Sequence, residues 1–298
     1  MTRTTGSKNI PSFEKYKTIS STASQDIKHL AKSNDDRVVQ QFKNILRHQR
    51  NYLSWLETRH KELNEAKKEL SQLKQQKYRG PKSDTYRKYK WYAEHAMLLE
   101  SINAFEVFYK NSIINLAKSI RNFIPPEKLN GSIDVKILWG LRSASVPELV
   151  FEHQLYHDLD NVDKVCNSLI GAKRYNKNNP DSKMRDTNLA LQAIFQIRHT
   201  LSHNHGVITH SDLQKLKLLG YTARHKEVID PMKNNLGRSI MRYLETEAED
   251  FTKWMLQSTA TFLEKQAKVQ GFVLDKKTYM RIVKILGDDP NLAKLPWV

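Results

Sequence analysis

Asn188–Gly206, NLALQAIFQIRHTLSHNHG, decides how the chain is read. Leu189, Ala190, Ala193, Ile194, Ile197 and Leu201 recur at helical spacing, and Gly206 arrives where a left-handed C-terminal cap is usual. The stretch therefore predicts an amphipathic helix. Its last turn gathers Arg198, His199, His203, Asn204 and His205. Histidines at a helix C-terminus can simply cap carbonyls and favour the helix dipole. An arginine among them adds a second meaning, because a guanidinium holds phosphate through a planar fork and a histidine passes protons near neutral pH. Five residues separate Arg198 from His203, about 140° on an ideal helix. The two share a cleft only if the helix ends early or a second copy contributes.

Outward from this helix the chain reads as helical throughout. Gly and Pro are sparse, 10 and 9 of 298 residues, and no β-branched run alternates for long. Val38, Phe42, Ile45, Tyr52, Leu56, Leu63, Ala66, Leu70 and Leu73 predict one long helix over 35–76, started by Ser33-Asn34-Asp35-Asp36. It would pair in an antiparallel hairpin with a later helix or in a dimeric coiled coil. Residues 78–84 break it. A helix over 91–120 follows, then Pro125-Pro126 and a connector over 131–144. Ser145-Val146-Pro147-Glu148 carries the spacing of a capping box. Further helices are expected at 211–219, 235–269 and 278–286. Four regions result: a basic arm 1–33, a long helix and linker 34–90, a helical domain 91–270 and a C-terminal helix and tail 271–298.

Charge narrows the partners. Lys and Arg number 49 against 32 Asp and Glu, a net +17, and residues 1–90 hold 21 basic and 9 acidic side chains. Such an excess favours an anionic partner through counterion release, nucleic acid first. Tyr86-Arg87-Lys88-Tyr89-Lys90-Trp91-Tyr92 interleaves rings that can stack on bases with the cations Arg87, Lys88 and Lys90. The same tyrosines at spacing three would also serve as a helix's inner face. Lys173, Arg174 and Lys177 flank or lie in a second basic stretch, at 174–185. No apolar run is long enough to span a membrane and no secretory signal is evident, so a cytoplasmic protein is expected. The single cysteine, Cys166, excludes an internal disulfide, and its apolar neighbours make it a core residue.

Two histidine patterns have metal-ligand spacing. His153 and His157 stand at i, i+4, and His199, His203 and His205 form H-x3-H-x-H. The first lacks the glutamate of an HExxH site, and Arg198 beside the second disfavours a cation. No metal and no cofactor are expected. Walker and dinucleotide glycine motifs and internal repeats are absent from the sequence.

Arg198, four intervening residues and His203, followed by Asn204 and Gly206 after an apolar helix, resemble the R-x4-6-H signature of HEPN domains. Glu100-Ser101-Ile102-Asn103-Ala104-Phe105-Glu106 is similar to the acidic and polar first helix of that family, so the likeness covers about 91–267. The resemblance implies an all-α bundle, a homodimer, and metal-independent endoribonuclease activity in a defence, abortive-infection or toxin-like system. Arg198 would contact phosphate and His203 would be catalytic, with His199, Asn204, His205 and Glu100 as polar helpers. RNA, including tRNA, and an antitoxin or other defence protein are the implied partners. A non-catalytic RNA-binding or assembly module of the same fold is the alternative. His199 stands where asparagine is common in the family, and His205 where one subgroup carries a modified tyrosine. Control by modification of that tyrosine does not carry over.

Overall fold

The computed structural model describes residues 37–72, 83–124, 145–176 and 181–298. The arm 1–33, the helix start at 33–36, the break over 78–82, Pro125-Pro126, the connector 131–144 and Lys177 lie outside the described residues. The fold is all-α. Its helices are α1 (Val38–Gln72), α2 (Ser83–Ile120), α3 (Val146–Phe151), α4 (Leu159–Ile170), α5 (Ser182–His203), α6 (His210–Leu218), α7 (Leu236–Gln270), α8 (Lys276–Leu286) and α9 (Pro290–Ala293). Among the described residues there is no strand, and two isolated bridges, Val207 to Val228 and Leu274 to Trp297, tie down loops.

The bundle is organised around α2, which packs against α1, α3, α5, α7 and α8. A central helix must be apolar on most of its circumference. Accordingly Leu98, Ile102, Phe105, Phe108, Tyr109, Ile113, Leu116 and Ile120 are all buried. Phe42 of α1 packs on Phe105 and Phe108, with ring centroids 5.6 and 5.7 Å away, and Phe251 of α7 lies 4.7 Å from Tyr109. The pairings Phe42 with Phe105, Gln49 with Ser101, Glu57 with Lys90 and His60 with Tyr86 run in opposite directions along the two helices. α1 and α2 are thus an antiparallel hairpin within one chain. Lys43 to Glu249 (2.5 Å) and Arg50 to Glu245 (2.7 Å) add polar links between α1 and α7.

The long helix α1 thus packs into the bundle, with Val38, Phe42 and Leu46 in its core. α2 runs unbroken across residue 90, where the sequence suggested a boundary, and Leu274, Ile282, Leu286 and Leu292 of the C-terminal region join the same core. The face of α1 also differs from expectation. Val38, Phe42, Leu46 and Leu53 point inward, whereas Tyr52 and Leu63 are exposed. The buried stripe passes through Leu46 and Leu53 with Ile45 half-buried against the same core, which leaves Tyr52 outside. Gln49 then falls inside, where its carbonyl accepts the Ser101 hydroxyl at 2.5 Å.

α3 has the capping box read from Ser145 and Glu148, but it ends at Phe151. His153 and His157 follow it in irregular chain, so no helical i, i+4 pair exists. Among the described residues no group of three metal-ligating side chains converges, and no helix is long and apolar enough to cross a membrane.

Candidate functional site

α5 starts on Asp181, whose carboxylate accepts the Lys183 N–H, and continues through His203. Leu191, Ala193, Ile194, Phe195, Thr200 and Leu201 form its inner face. The Gly206 N–H bonds back to the Thr200 carbonyl at 3.0 Å, closing the helix in the manner of a Schellman turn. His205 and Gly206 both take positive φ, 50° and 82°. Ile208 and Ile229 then bond to Glu227 and Gly206, which fixes the turn against the 226–229 segment.

Arg198 leaves this helix toward α2. Its Nε donates to Asn103 Oδ1 at 3.0 Å and lies 3.1 Å from Glu106 Oε1. The other oxygen of Glu106 lies 3.3 Å from His157 Nδ1. Asn103, Glu106 and Lys110 sit one turn apart on α2, and with Arg198, Glu152 and His157 they line a cleft of about 370 Å³. The guanidinium is held in place yet about a quarter of its side chain (28%) remains open to solvent.

His203 does not join it. The helix persists to His203, so the residue keeps the angular separation that a regular helix imposes. Its exposed ring lies 4.7 Å from that of His199, on the outer side of the last turn. Asn204 is committed elsewhere: its amide donates to Asp212 Oδ2 at 3.2 Å, while Gln196 donates to Oδ1 at 2.7 Å. Burial raises the Asp212 pKa, but hydrogen bonds from the Thr209 N–H and hydroxyl and from Thr200, with the charge of His199, outweigh it and hold the carboxyl below its ordinary value. His205 is exposed; burial, then the charge of His205, lowers the His95 pKa.

Among the remaining predicted positions, Glu100 is exposed, and Glu106, six residues on and about 120° around the helix, makes the contact to Arg198. Both belong to the same acidic stretch, and only the packing of α5 on α2 distinguishes them. Arg87, Lys88 and Lys173 are exposed. Lys90 is paired with Glu57 at 2.7 Å, and Glu57 also binds Arg238 at 2.8 Å. Tyr89 and Tyr92 are exposed rather than forming an inner face, while Tyr86 stacks on His60 at 3.4 Å.

Arg174 is not a surface phosphate ligand. It is buried, with Nε and one terminal nitrogen bonded to the two Glu247 oxygens at 2.9 and 3.1 Å. The guanidinium is desolvated, and its ion pair with Glu247 more than compensates and keeps it charged. Tyr175 donates to the same carboxylate at 2.6 Å and meets Tyr109 at 2.5 Å, so the residue belongs to an interior polar network.

His157 and Glu106 are the members of the cleft that the sequence did not single out as a pair. Fifty-one residues separate them, and no local spacing signals their meeting. Cys166 is buried, as its apolar neighbours suggested. No protein-family model, no curated protein and no solved structure matches the chain.

Proposed function

We propose that this chain is a HEPN-like, metal-independent endoribonuclease that acts as a dimer. The observation that carries the reading is Arg198, fixed by Asn103 and Glu106 at the edge of an open cleft, on the helix whose last turn exposes His199 and His203. An anchored guanidinium can receive a phosphodiester and neutralise charge building on its non-bridging oxygens. In a dimer the imidazole of His203 on the second copy would reach that phosphodiester and exchange a proton with it, and the RNA supplies its own nucleophile. The excess positive charge supports an RNA partner, tRNA included. The defence or toxin-like role, with an antitoxin or other system protein as partner, comes from the R-x4-6-H resemblance alone.

A second reading, a non-catalytic RNA-binding or assembly module, is favoured by one observation: a single copy leaves Arg198 and His203 on separate sides of α5. Purified protein and its His203→Ala variant, incubated with total RNA and tRNA in excess chelator, separate the two. Cleavage by the wild type alone, leaving 2′,3′-cyclic phosphate ends, supports the nuclease. RNA left intact by both proteins at concentrations where both bind it supports the binding module.

A further inference from the structure

We propose that His157 is a proton-transfer residue of the cleft that holds Arg198, a role resting on the reading of that cleft as an RNA-cleaving site. His157 lies in irregular chain but its backbone is anchored on both sides. Tyr156 before it is buried and donates its hydroxyl to the Phe151 carbonyl at 2.6 Å. Asp158 after it caps α4, accepting the Asp160 and Asn161 N–H groups at 3.0 and 3.4 Å, and Asn161 reaches back to the Leu155 carbonyl. The ring itself packs edge-on to Phe195 of α5. The imidazole is thereby placed by tertiary structure, on a segment that could otherwise move.

Glu106 gives that placement chemical meaning. One oxygen approaches Arg198 Nε at 3.1 Å and the other approaches His157 Nδ1 at 3.3 Å, so a single carboxylate sets both the phosphate-binding group and the imidazole. An Nδ1–H directed at a carboxylate leaves the lone pair on Nε2, the tautomer a general base requires, and the carboxylate then stabilises the imidazolium formed. His157 is 42% exposed, open enough for Nε2 to meet a substrate. Lys110 supplies a second cation on the cleft wall, against the carboxylates of Glu106 and Glu152.

The step balances without a further reagent. Nε2 of His157 accepts the 2′-hydroxyl proton as the 2′-oxygen bonds to phosphorus. The bond from phosphorus to the 5′-oxygen breaks, and that oxygen takes a proton from His203 of a second copy or from water. The products are a 2′,3′-cyclic phosphate and a 5′-hydroxyl, with Arg198 offsetting the charge on the non-bridging oxygens.

The test uses the full chain, an RNA oligonucleotide, and its all-2′-deoxy counterpart as a binding probe that cannot be cleaved. His157→Ala is expected to lower kcat by about 100-fold or more, within the usual range for losing an acid-base group, while probe affinity and thermal midpoint stay near wild type. Added imidazole should restore part of the rate, which a purely structural role would not allow. Undiminished cleavage by His157→Ala overturns the proposal and leaves the nuclease reading standing. If the wild type does not cleave, the nuclease reading fails, and the proton-transfer role of His157 fails with it.

Discussion

Arg174 and Glu247 form a buried ion pair inside the bundle. Both side chains are 7% exposed or less, and they share two hydrogen bonds of 2.9 and 3.1 Å. Arg174→Met leaves a buried carboxylate with only the Tyr175 hydroxyl, and breaking a buried pair by removing one partner costs about 3–5 kcal/mol. Glu247→Leu strands the guanidinium at similar cost and also takes the acceptor from Tyr175, adding about 1–3 kcal/mol. The double variant replaces the pair by apolar side chains of comparable size, an exchange that is often neutral. Its expected loss is then only the Tyr175 contribution, about 1–3 kcal/mol, and part of that is relieved because Tyr109 still meets Tyr175. Urea denaturation of the four proteins, followed by circular dichroism, measures the cycle. The double variant should be more stable than either single one, even if both singles unfold in buffer. A double-variant loss equal to the sum of the two singles would refute the argument, because the charges would then not be satisfying one another. Salt titration of RNA binding supplies the complement: Lys173→Ala should reduce the log-log slope by about 1 if that exposed lysine touches phosphate, while the folded double variant leaves the slope unchanged.

Three further outcomes follow from local geometry. Gly206→Ala must place a Cβ at φ +82°, with Leu201 at 3.4 Å and no severe overlap, so the cost is backbone strain of about 1–2 kcal/mol, read as a lower thermal midpoint; a midpoint unchanged from wild type would mean the turn has another conformation. The Glu148 carboxyl is held down to about 2 by the Lys118 side chain first and then by the Ser145 N–H and hydroxyl. Its folded pKa is depressed, so its contribution is complete above 4.5 and lost as pH falls toward 2; the stability gap to Glu148→Ala, about 1 kcal/mol at neutral pH for a capping contact, should close over that interval, and a gap that widens on acidification contradicts the assignment. Arg198→Lys keeps the charge and loses the planar fork, so RNA affinity should hold while cleavage falls about 100-fold; equal loss of both would make Arg198 a binding residue only.

The all-α class was legible because its signals are local: sparse glycine and proline, helical recurrence of apolar residues, and the Ser145 to Glu148 capping box all survive in the structure. What failed depended on rotation or on partners distant in sequence. Nothing within α1 says that Leu53 rather than Tyr52 is the buried neighbour, or that Leu46 lies deeper than Ile45; the position of α2 decides. Arg174 reads as a surface cation until Glu247, seventy-three residues later, meets it inside the bundle. His153 and His157 had helical spacing, but α3 stops at Phe151 and the spacing loses its geometric meaning. At the candidate site the sequence singled out Arg198 and the histidines of the last turn, and the structure places Arg198 on the cleft and His199 and His203 outside it. It selected Glu100 from an acidic stretch in which Glu106 is the residue that α5 reaches.

The same helix geometry constrains how cleavage would depend on concentration. Five residues along α5 separate Arg198 and His203 by about 7.5 Å of rise and about 140° of rotation. Arg198 is pinned to α2 by Glu106 and Asn103, and the helix stays regular through His203, so neither can swing toward the other without breaking packed structure. A phosphate held by Arg198 can meet His203 only when that histidine arrives on another copy, whereas His157 already shares Glu106 with Arg198 in the same chain. If the proposed dimer carries the reaction, cleavage that requires both histidines must therefore fall faster than linearly as the protein is diluted. Mixing Arg198→Ala with His203→Ala chains should then recover activity, since one of the two sites in a mixed dimer is intact. Rates strictly proportional to protein concentration, with no recovery on mixing, would place the whole reaction in one copy and remove His203 from it.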